Sequence, residues 1–431
     1  MKRLFVILFI VTVLISSSFS SFAITPAETI DISAESGILI DFESGDILFE
    51  KNPHKQMYPA STTKIMTAIL TLENTNLDDK VVIDKEAPFI GGSRIYVKEG
   101  EVFTVEQLLN ALLIESANDA AVALAKHISG STEEFARLMN KRAKELGALN
   151  THFTNPNGLP DEKHVTTAYD LAMISKYAMT IPKFKEIVKT VRYEIPANEK
   201  TPEIRYFRTT NRLLWGVGPS NRIEYNGKWV NIKYDIVDGI KTGYTDAAQQ
   251  CLVSTAAKDN RRVISVVLKA IRTNVYVDSR KLIDYGLDNF KIINLVNSGT
   301  SLKTIEIENG IEKDLSLLAQ DNITKTVPNN YNETNISSKI ELDPEIKAPI
   351  NKGEVLGKVS FSLDGAIIGE TNLIANKSIE EKQIYKIIRN IKDPKNMSLL
   401  KIILSLILIF IVWRTIVTVK RIRRRRRRWK L

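Results

Sequence analysis

Ser61-Thr62-Thr63-Lys64, Ser116-Ala117-Asn118 and Lys241-Thr242-Gly243 lie far apart in the chain, yet their side chains make chemical sense only together. Any fold for this sequence must gather three distant segments into one pocket. A serine hydroxyl is a poor nucleophile until a nearby base takes its proton. Ser61 and Lys64 are three residues apart at the start of an apparent helix, residues 62–72, so both side chains share a face. Pro59 and Ala60 come just before, which places Ser61 near the amino end of that helix. There the macrodipole favours a developing oxyanion and disfavours a protonated amine, tuning Lys64 toward a free base. Alone the pattern is weak, since roughly one or two Ser-x-x-Lys matches arise by chance in a chain this long. Ser398-Leu399-Leu400-Lys401 is such a match, inside an apolar segment.

The other two strings raise its weight. Ser116-Ala117-Asn118 falls between predicted helices at 105–115 and 117–127, where side chains project from a turn. Ser116 can relay a proton to a leaving amine and Asn118 can hold a substrate amide; the plain alternative is that Ser116 caps the second helix. Lys241-Thr242-Gly243 ends an apolar strand, and its alternative is an ordinary strand exit. Lys241 would supply positive charge, Thr242 a hydroxyl for a carboxylate, and Gly243 room for an extended peptide along the strand edge.

The two ends place the rest of the chain. Met1-Lys2-Arg3, an apolar run at 4–15 and Ser21-Phe22-Ala23 read as an export signal over residues 1–23. An uncleaved anchor is the alternative, although the run is short against the roughly 20 residues of a span. Residues 398–419 are apolar except for Lys401, Ser405, Arg414 and a few threonines, and can cross a hydrocarbon layer of about 30 Å as a transmembrane helix. A surface-lying anchor remains the other reading, because the uninterrupted part, 402–413, is short. Residues 420–431 form a basic tail that the positive-inside rule assigns to the cytoplasm, leaving the chemistry extracytoplasmic on a single-pass cell-membrane protein.

Without that tail, Lys2, Arg3, Lys401 and Arg414, thirteen cations in all, the net charge falls from +10 to −3. The basic balance therefore describes an anchor that meets anionic lipid, and no nucleic-acid partner is expected. The single cysteine, Cys251, permits no internal disulfide, and its apolar surroundings mark it as packing and not a nucleophile. His54, His127, His152 and His164 are scattered without metal-ligand spacing, so surface or capping roles are expected, with no metal and no cofactor.

Residues 24–290 read as an α+β catalytic domain. Strands at 37–42 and 46–49 flank a turn, helices follow at 62–72, 105–115, 117–127 and 132–146, strands return at 236–242, 251–256 and 262–268, and a helix at 276–285 closes the domain. Strands at both ends of a helical middle imply an antiparallel sheet with a helical subdomain packed on it. Residues 291–390 read as a small all-β domain with strands at 303–307, 355–361 and 366–373 and a polar loop at 327–338. The charged stretch 380–395 is expected to be helical, running into a juxtamembrane linker at 391–397.

The trio matches the known S-x-x-K, S-D-N and K-T-G signature of penicillin-interacting enzymes. With Tyr58-Pro59-Ala60 ahead of Ser61, Asn155-Pro156-Asn157-Gly158-Leu159, and Tyr244-Thr245-Asp246-Ala247-Ala248 after Gly243, the chain resembles the serine D-Ala-D-Ala carboxypeptidases, the low-molecular-mass penicillin-binding proteins. Ala348-Pro349-Ile350-Asn351-Lys352-Gly353 resembles the family's β-rich carboxy-terminal domain. The resemblance implies a β-lactamase/transpeptidase-like fold, with Ser61 as acylated nucleophile and Lys64 as its base. It implies an oxyanion hole from the backbone N–H groups of Ser61 and Tyr244. Ser116, Asn118, Lys241 and Thr242 would bind substrate and move protons, and Arg272 would lie near a terminal carboxylate. Substrate would be the peptidoglycan stem pentapeptide in cell-wall maturation, and β-lactams would acylate Ser61. Two features depart from the family: Gln249-Gln250 stands where relatives often carry glycine, and the anchor reads as spanning where many relatives use an amphipathic helix. A β-lactamase would need rapid deacylation, and Asp161 and Glu162 lack the pattern that provides it. Endopeptidase action on cross-links stays open, as does a non-catalytic wall-binding scaffold, against which the intact Ser61, Lys64, Ser116 and Lys241 argue.

Overall fold

The computed structural model describes residues 30–392 and 394–428; the export signal read over residues 1–23 lies outside them. The chain divides into two bodies, one of residues up to Ile293 together with Thr324–Asn332, the other of Asn294–Ile323 and the residues from Glu333 onward.

In the first body a hairpin, β1 (Ser36–Asp41) and β2 (Ile47–Lys51), leads to a tight 3-10 turn, Ala60–Thr63, and helix α1 (Lys64–Asn74). Two short strands, β3 (Lys80–Val82) and β4 (Val102–Thr104), pair with each other ahead of α2 (Val105–Asn110). A capping box starts α2: Thr104 accepts from the Gln107 N–H while the Gln107 side chain accepts from the Thr104 N–H. Helices α3 (Asn118–Ser129), α4 (Thr132–Glu145), α5 (Ala168–Ala178) and α6 (Pro182–Lys189) complete the helical layer. Hairpins β5 (Arg192–Ile195)–β6 (Arg205–Arg208) and β7 (Arg222–Tyr225)–β8 (Lys228–Asn231) follow. Strands β9 (Val237–Thr245), β10 (Gln249–Lys258) and β11 (Arg261–Ala270) then lead into helix α7 (Asn274–Asn289).

The main sheet has the order β2-β1-β11-β10-β9 and is antiparallel throughout. Both of its faces are covered, so β1 is buried along its whole length instead of alternating between core and water. Successive side chains point to opposite faces. Ile38 and Ile40 accordingly join a core with Ile65, Met66 and Ile69 of α1, while Leu39 joins a second core with Leu282 and Ile283 of α7. The strand β9 is an edge of this sheet, which leaves one side of its backbone open.

Beyond α7 come β12 (Phe290–Val296), β13 (Ser301–Glu306), β14 (Asp314–Ala319), β15 (Ile323–Pro328), β16 (Ile336–Leu342), β17 (Val355–Leu363) and β18 (Ala366–Ala375). Strands β12 and β15 pair with each other and belong mainly to the first body. The second body is built on the antiparallel sheet β13-β14-β18-β17-β16, whose apolar side carries Leu315, Leu317, Val359, Phe361 and Leu373. The loop expected over 327–338 is shorter than that. β15 continues to Pro328 and β16 begins at Ile336, paired with Leu363, so hydrogen bonding to β17 imposes a strand on a polar edge segment. The helix expected near 380–395 is α8 (Gln383–Lys392), and α9 (Pro394–Arg428) follows it. Within α9, Lys401–Arg424 is long and apolar enough to cross a membrane, and its apolar side chains are exposed.

Candidate active site

Ser61 sits in the 3-10 turn immediately ahead of α1, and Lys64 is that helix's first residue. Their separation along the turn brings Lys64 Nζ to 3.0 Å from Ser61 Oγ. Lys64 is wholly buried and has two further partners, Asn118 Oδ1 at 2.7 Å and the Asn157 carbonyl at 2.6 Å. Both are oxygens that only accept, so they take two N–H groups of the amine. A neutral amine has two N–H groups and one lone pair, and the lone pair is left for the Ser61 hydroxyl. Burial holds the Lys64 amine well below the usual lysine range, the positive charge of Lys241 adds to the shift, and Asp119 opposes it.

Two local distortions aim the second string. The α2 helix widens into a π turn over Ala111–Glu115, and Ser116 then adopts a left-handed conformation at φ 65°. The cap position of α3 belongs to Ala117, which has no side chain to offer, so Ser116 does not cap the helix. Its Oγ instead accepts from Lys241 Nζ at 2.9 Å. Lys241, 1% exposed, also donates to the Thr242 carbonyl at 3.1 Å; burial lowers its amine to about 7, opposed by the charge of Glu115. Neither Lys64 nor Lys241 forms an ion pair among the described residues, and Ser116 lies beside one amine while Ser61 lies beside the other.

The Asn118 side chain bridges the pocket wall, accepting from Lys64 and donating through Nδ2 to the Gly91 carbonyl at 2.6 Å, with a second amide N–H to spare. Next to it, Asp119 is buried and accepts from the N–H groups of Ile95 and Val97, which pins the segment after Gly91 over the site. Gly243 allows β9 to press against the nucleophile turn: a Cβ there would lie 3.0 Å from the Pro59 carbonyl and 3.1 Å from Ser61 N. The expected room at Gly243 for a peptide is thus taken by the turn itself. Tyr244, the next residue, is 54% exposed, and its hydroxyl donates to Asp246 at 3.0 Å.

Arg272 is exposed in the turn between β11 and α7 and forms no hydrogen bond with the cluster. The structure brings Ser61, Lys64, Ser116, Asn118, Lys241 and Thr242 together and leaves Arg272 unattached.

Two residues were missed. Thr210 shares a 2.5 Å hydroxyl contact with Thr242, yet nothing in Thr209-Thr210-Asn211 marks it as part of a site. His164 was read with the other histidines as surface or capping, and this is wrong: it is 1% exposed, while His54, His127 and His152 are exposed. The Thr154 N–H donates to its Nδ1 at 3.0 Å, so the proton of the neutral ring is on Nε2, which lies 2.8 Å from Thr63 Oγ1. Burial lowers the imidazole to about 4, so it stays neutral while bracing the residue before Lys64.

A buried serine–lysine pair beside a second serine–lysine pair, at the open edge of an antiparallel sheet, defines a serine acyl-transfer enzyme of β-lactamase/transpeptidase-like fold. Comparison with known proteins narrows the class. Residues 22–272 match the D-alanyl-D-alanine carboxypeptidase family and residues 290–381 match the C-terminal domain of penicillin-binding protein 5. The chain is 34% identical over 393 residues to the D-alanyl-D-alanine carboxypeptidase DacF of Bacillus subtilis, covering 88% of this chain and 95% of that one. It is 32% identical to DacC of Escherichia coli, covering 82% and 86%. Among solved structures, penicillin-binding protein 5 of Haemophilus influenzae superposes with a TM-score of 0.70 at 30% identity, covering 82% of this chain and 99% of that one. The chain belongs to the D-alanyl-D-alanine carboxypeptidase family of penicillin-binding proteins.

Proposed function

We propose that this chain removes the terminal D-alanine from peptidoglycan stem pentapeptides through an acyl-enzyme on Ser61. The Ser61 oxygen attacks the carbonyl carbon of the penultimate D-alanine as Lys64 Nζ takes the hydroxyl proton. The oxyanion faces the backbone N–H groups of Ser61 and Tyr244. The peptide C–N bond breaks, the departing amine takes a proton from Ser116, and Lys241 restores that proton. Lys241, Thr242 and Arg272 face the carboxylate of the departing D-alanine, and Asn118 holds the amide on the acyl side. Water then attacks the ester, with Lys64 as base, and frees Ser61. A β-lactam enters by the same attack, which opens its ring and leaves an ester on Ser61.

The single observation that carries this reading is the amine of Lys64, wholly buried, committed to two carbonyl oxygens and 3.0 Å from Ser61 Oγ. Fluorescent penicillin should label the wild type and not Ser61→Ala, and free D-alanine should appear on incubation with a pentapeptide. An unlabelled wild type would favour a non-catalytic scaffold, and rapid release of hydrolysed penicillin would favour a β-lactamase.

Residues 1–23 are proposed as an export signal, 24–290 as the catalytic domain, 291–390 as a β-rich spacer, 391–397 as a linker, 398–419 as a membrane span and 420–431 as a cytoplasmic tail. The apolar helix Lys401–Arg424 and its arginine-rich end support this topology. Protease added to intact cells should degrade the catalytic domain and spare a tag placed after the tail.

A further inference from the structure

Beside the nucleophile turn lies a pocket of about 190 Å³ that the mechanism above does not use. Its walls include Tyr58, Leu159, Pro160 and Thr245, and Asp161 and Glu162 stand among its lining residues. The floor is fixed. Gly158 packs so closely on Ala60 that a Cβ would fall 1.9 Å from the Ala60 carbonyl, and His164 is tied to Thr63.

The direction of the substrate places this pocket. Lys241 and Thr242, proposed for the departing carboxylate, lie early on the strand run that continues through Tyr244 to Thr245. If the departing residue sits beside Thr242 and the oxyanion beside Tyr244, the acyl part of the peptide continues toward Thr245. The residue that precedes the acyl D-alanine then lies about 3.4 Å further along, the rise of one strand residue. That is where the pocket opens.

Its charge is one-sided. Asp161 accepts only the backbone N–H of Lys163, at 2.8 Å, and neither Asp161 nor Glu162 forms an ion pair among the described residues. Both are exposed, and Asp246, one residue past Thr245, adds a third carboxylate next to Tyr244. Lys163 is the adjacent cation in sequence, and it too is exposed and forms no ion pair.

We propose that this pocket receives the side chain of the third stem residue and that Asp161 and Glu162 select one ending in an ammonium group. The methylenes would lie across Tyr58, Leu159 and Pro160, and the ammonium would reach the carboxylates. This rests on the carboxypeptidase reading above, and the test separates the two.

Release of D-alanine is followed for the full chain with three acylated peptides, X-D-Ala-D-Ala, where X is lysine, Nε-acetyl-lysine or glutamate. Exposed ion pairs are weak, so kcat/KM should favour lysine over acetyl-lysine by only about fivefold. The preference should shrink as salt rises, because exposed charges are screened. The double variant D161K/E162K should reverse the order of lysine and glutamate, a gain that misfolding cannot produce. Equal kcat/KM for the lysine and acetyl-lysine peptides in the wild type would overturn the subsite and leave the carboxypeptidase standing. So would an order unchanged in an active D161K/E162K. Release from none of the three by the wild type would overturn both.

Discussion

The two bodies bury different kinds of atoms. Among the described residues, the catalytic body buries Asp41, Lys64, Glu101, Asp119, His164, Asp170, Lys241 and Asp278, while the C-terminal sheet buries apolar side chains and only the hydroxyls of Ser360 and Thr371. Within the catalytic body the buried charges divide again. Glu101 is paired with Arg205 at 2.9 Å and also accepts from Thr201 and Asn198, and Asp278 accepts from the N–H groups of Ser33 and Ala34. Such groups are satisfied and hold elements together. Lys64 and Lys241 are bonded to neutral oxygens alone. A buried amine without a carboxylate is expensive to keep charged, so it is held near neutrality, the state in which it can accept a proton. The spacer body has no such group and can be optimised for stability alone.

The largest effect should come from removing that amine. Lys64→Met keeps the length of the side chain and deletes the base, so penicillin acylation and D-alanine release should both fall by about 10³–10⁴ while the protein stays folded by circular dichroism. An acylation rate within tenfold of wild type would mean that Lys64 is a packing residue and that the contrast between the bodies has no chemical meaning.

Two glycines sharpen the contrast at nearly equal backbone angles. Gly158 has φ 85° and Gly365, in the β17–β18 turn, has φ 86°. A Cβ on Gly158 would lie 1.9 Å from the Ala60 carbonyl, whereas one on Gly365 would meet nothing within 4 Å. Gly365→Ala should therefore show only the backbone strain, about 1–2 kcal/mol, with acylation unchanged. Gly158→Ala must also displace the turn that carries Ser61, and a shift of about 1 Å there should lower acylation by about 100-fold although no reacting group is lost. Equal acylation rates in the two variants would show that the turn relaxes freely.

What was legible in the sequence follows the same division. Ser61 and Lys64 could be paired by local periodicity, and β1, β10 and β11 announced themselves as apolar runs, because these features depend on neighbours in the chain. Thr210 could not be found, since only the packing of its loop against β9 brings its hydroxyl to Thr242. His164 follows Asp161-Glu162-Lys163 and looks like part of a polar loop; its burial comes from contacts with Thr63 and Thr154. In the second body Ile336-Ser337-Ser338-Lys339 carries too little apolar surface to declare a strand, and the partner β17 decides it. Gln249 shows the reverse case. It stands where relatives often have glycine and takes φ 51°, and its side-chain donation to the Asp246 carbonyl at 2.6 Å supports the turn that a glycine would make without strain.

The smallest effect is a slope with pH. Burial lowers the Lys241 amine to about 7, while in the unfolded chain it titrates near 10.4. Between those values the unfolded state binds more protons than the native state, so this lysine makes stability rise with pH. Its destabilising effect is complete below about pH 7 and gone above about 10.4. In Lys241→Met the group is absent, so the difference in Tm, variant minus wild type, should be largest near pH 6 and fall steadily toward pH 10. Any constant offset from lost hydrogen bonds to Ser116 leaves that slope intact, and other titrating groups cancel in the difference. A flat difference would place the Lys241 amine in contact with water or with a carboxylate, and would remove one of the two buried amines that set the catalytic body apart from the spacer.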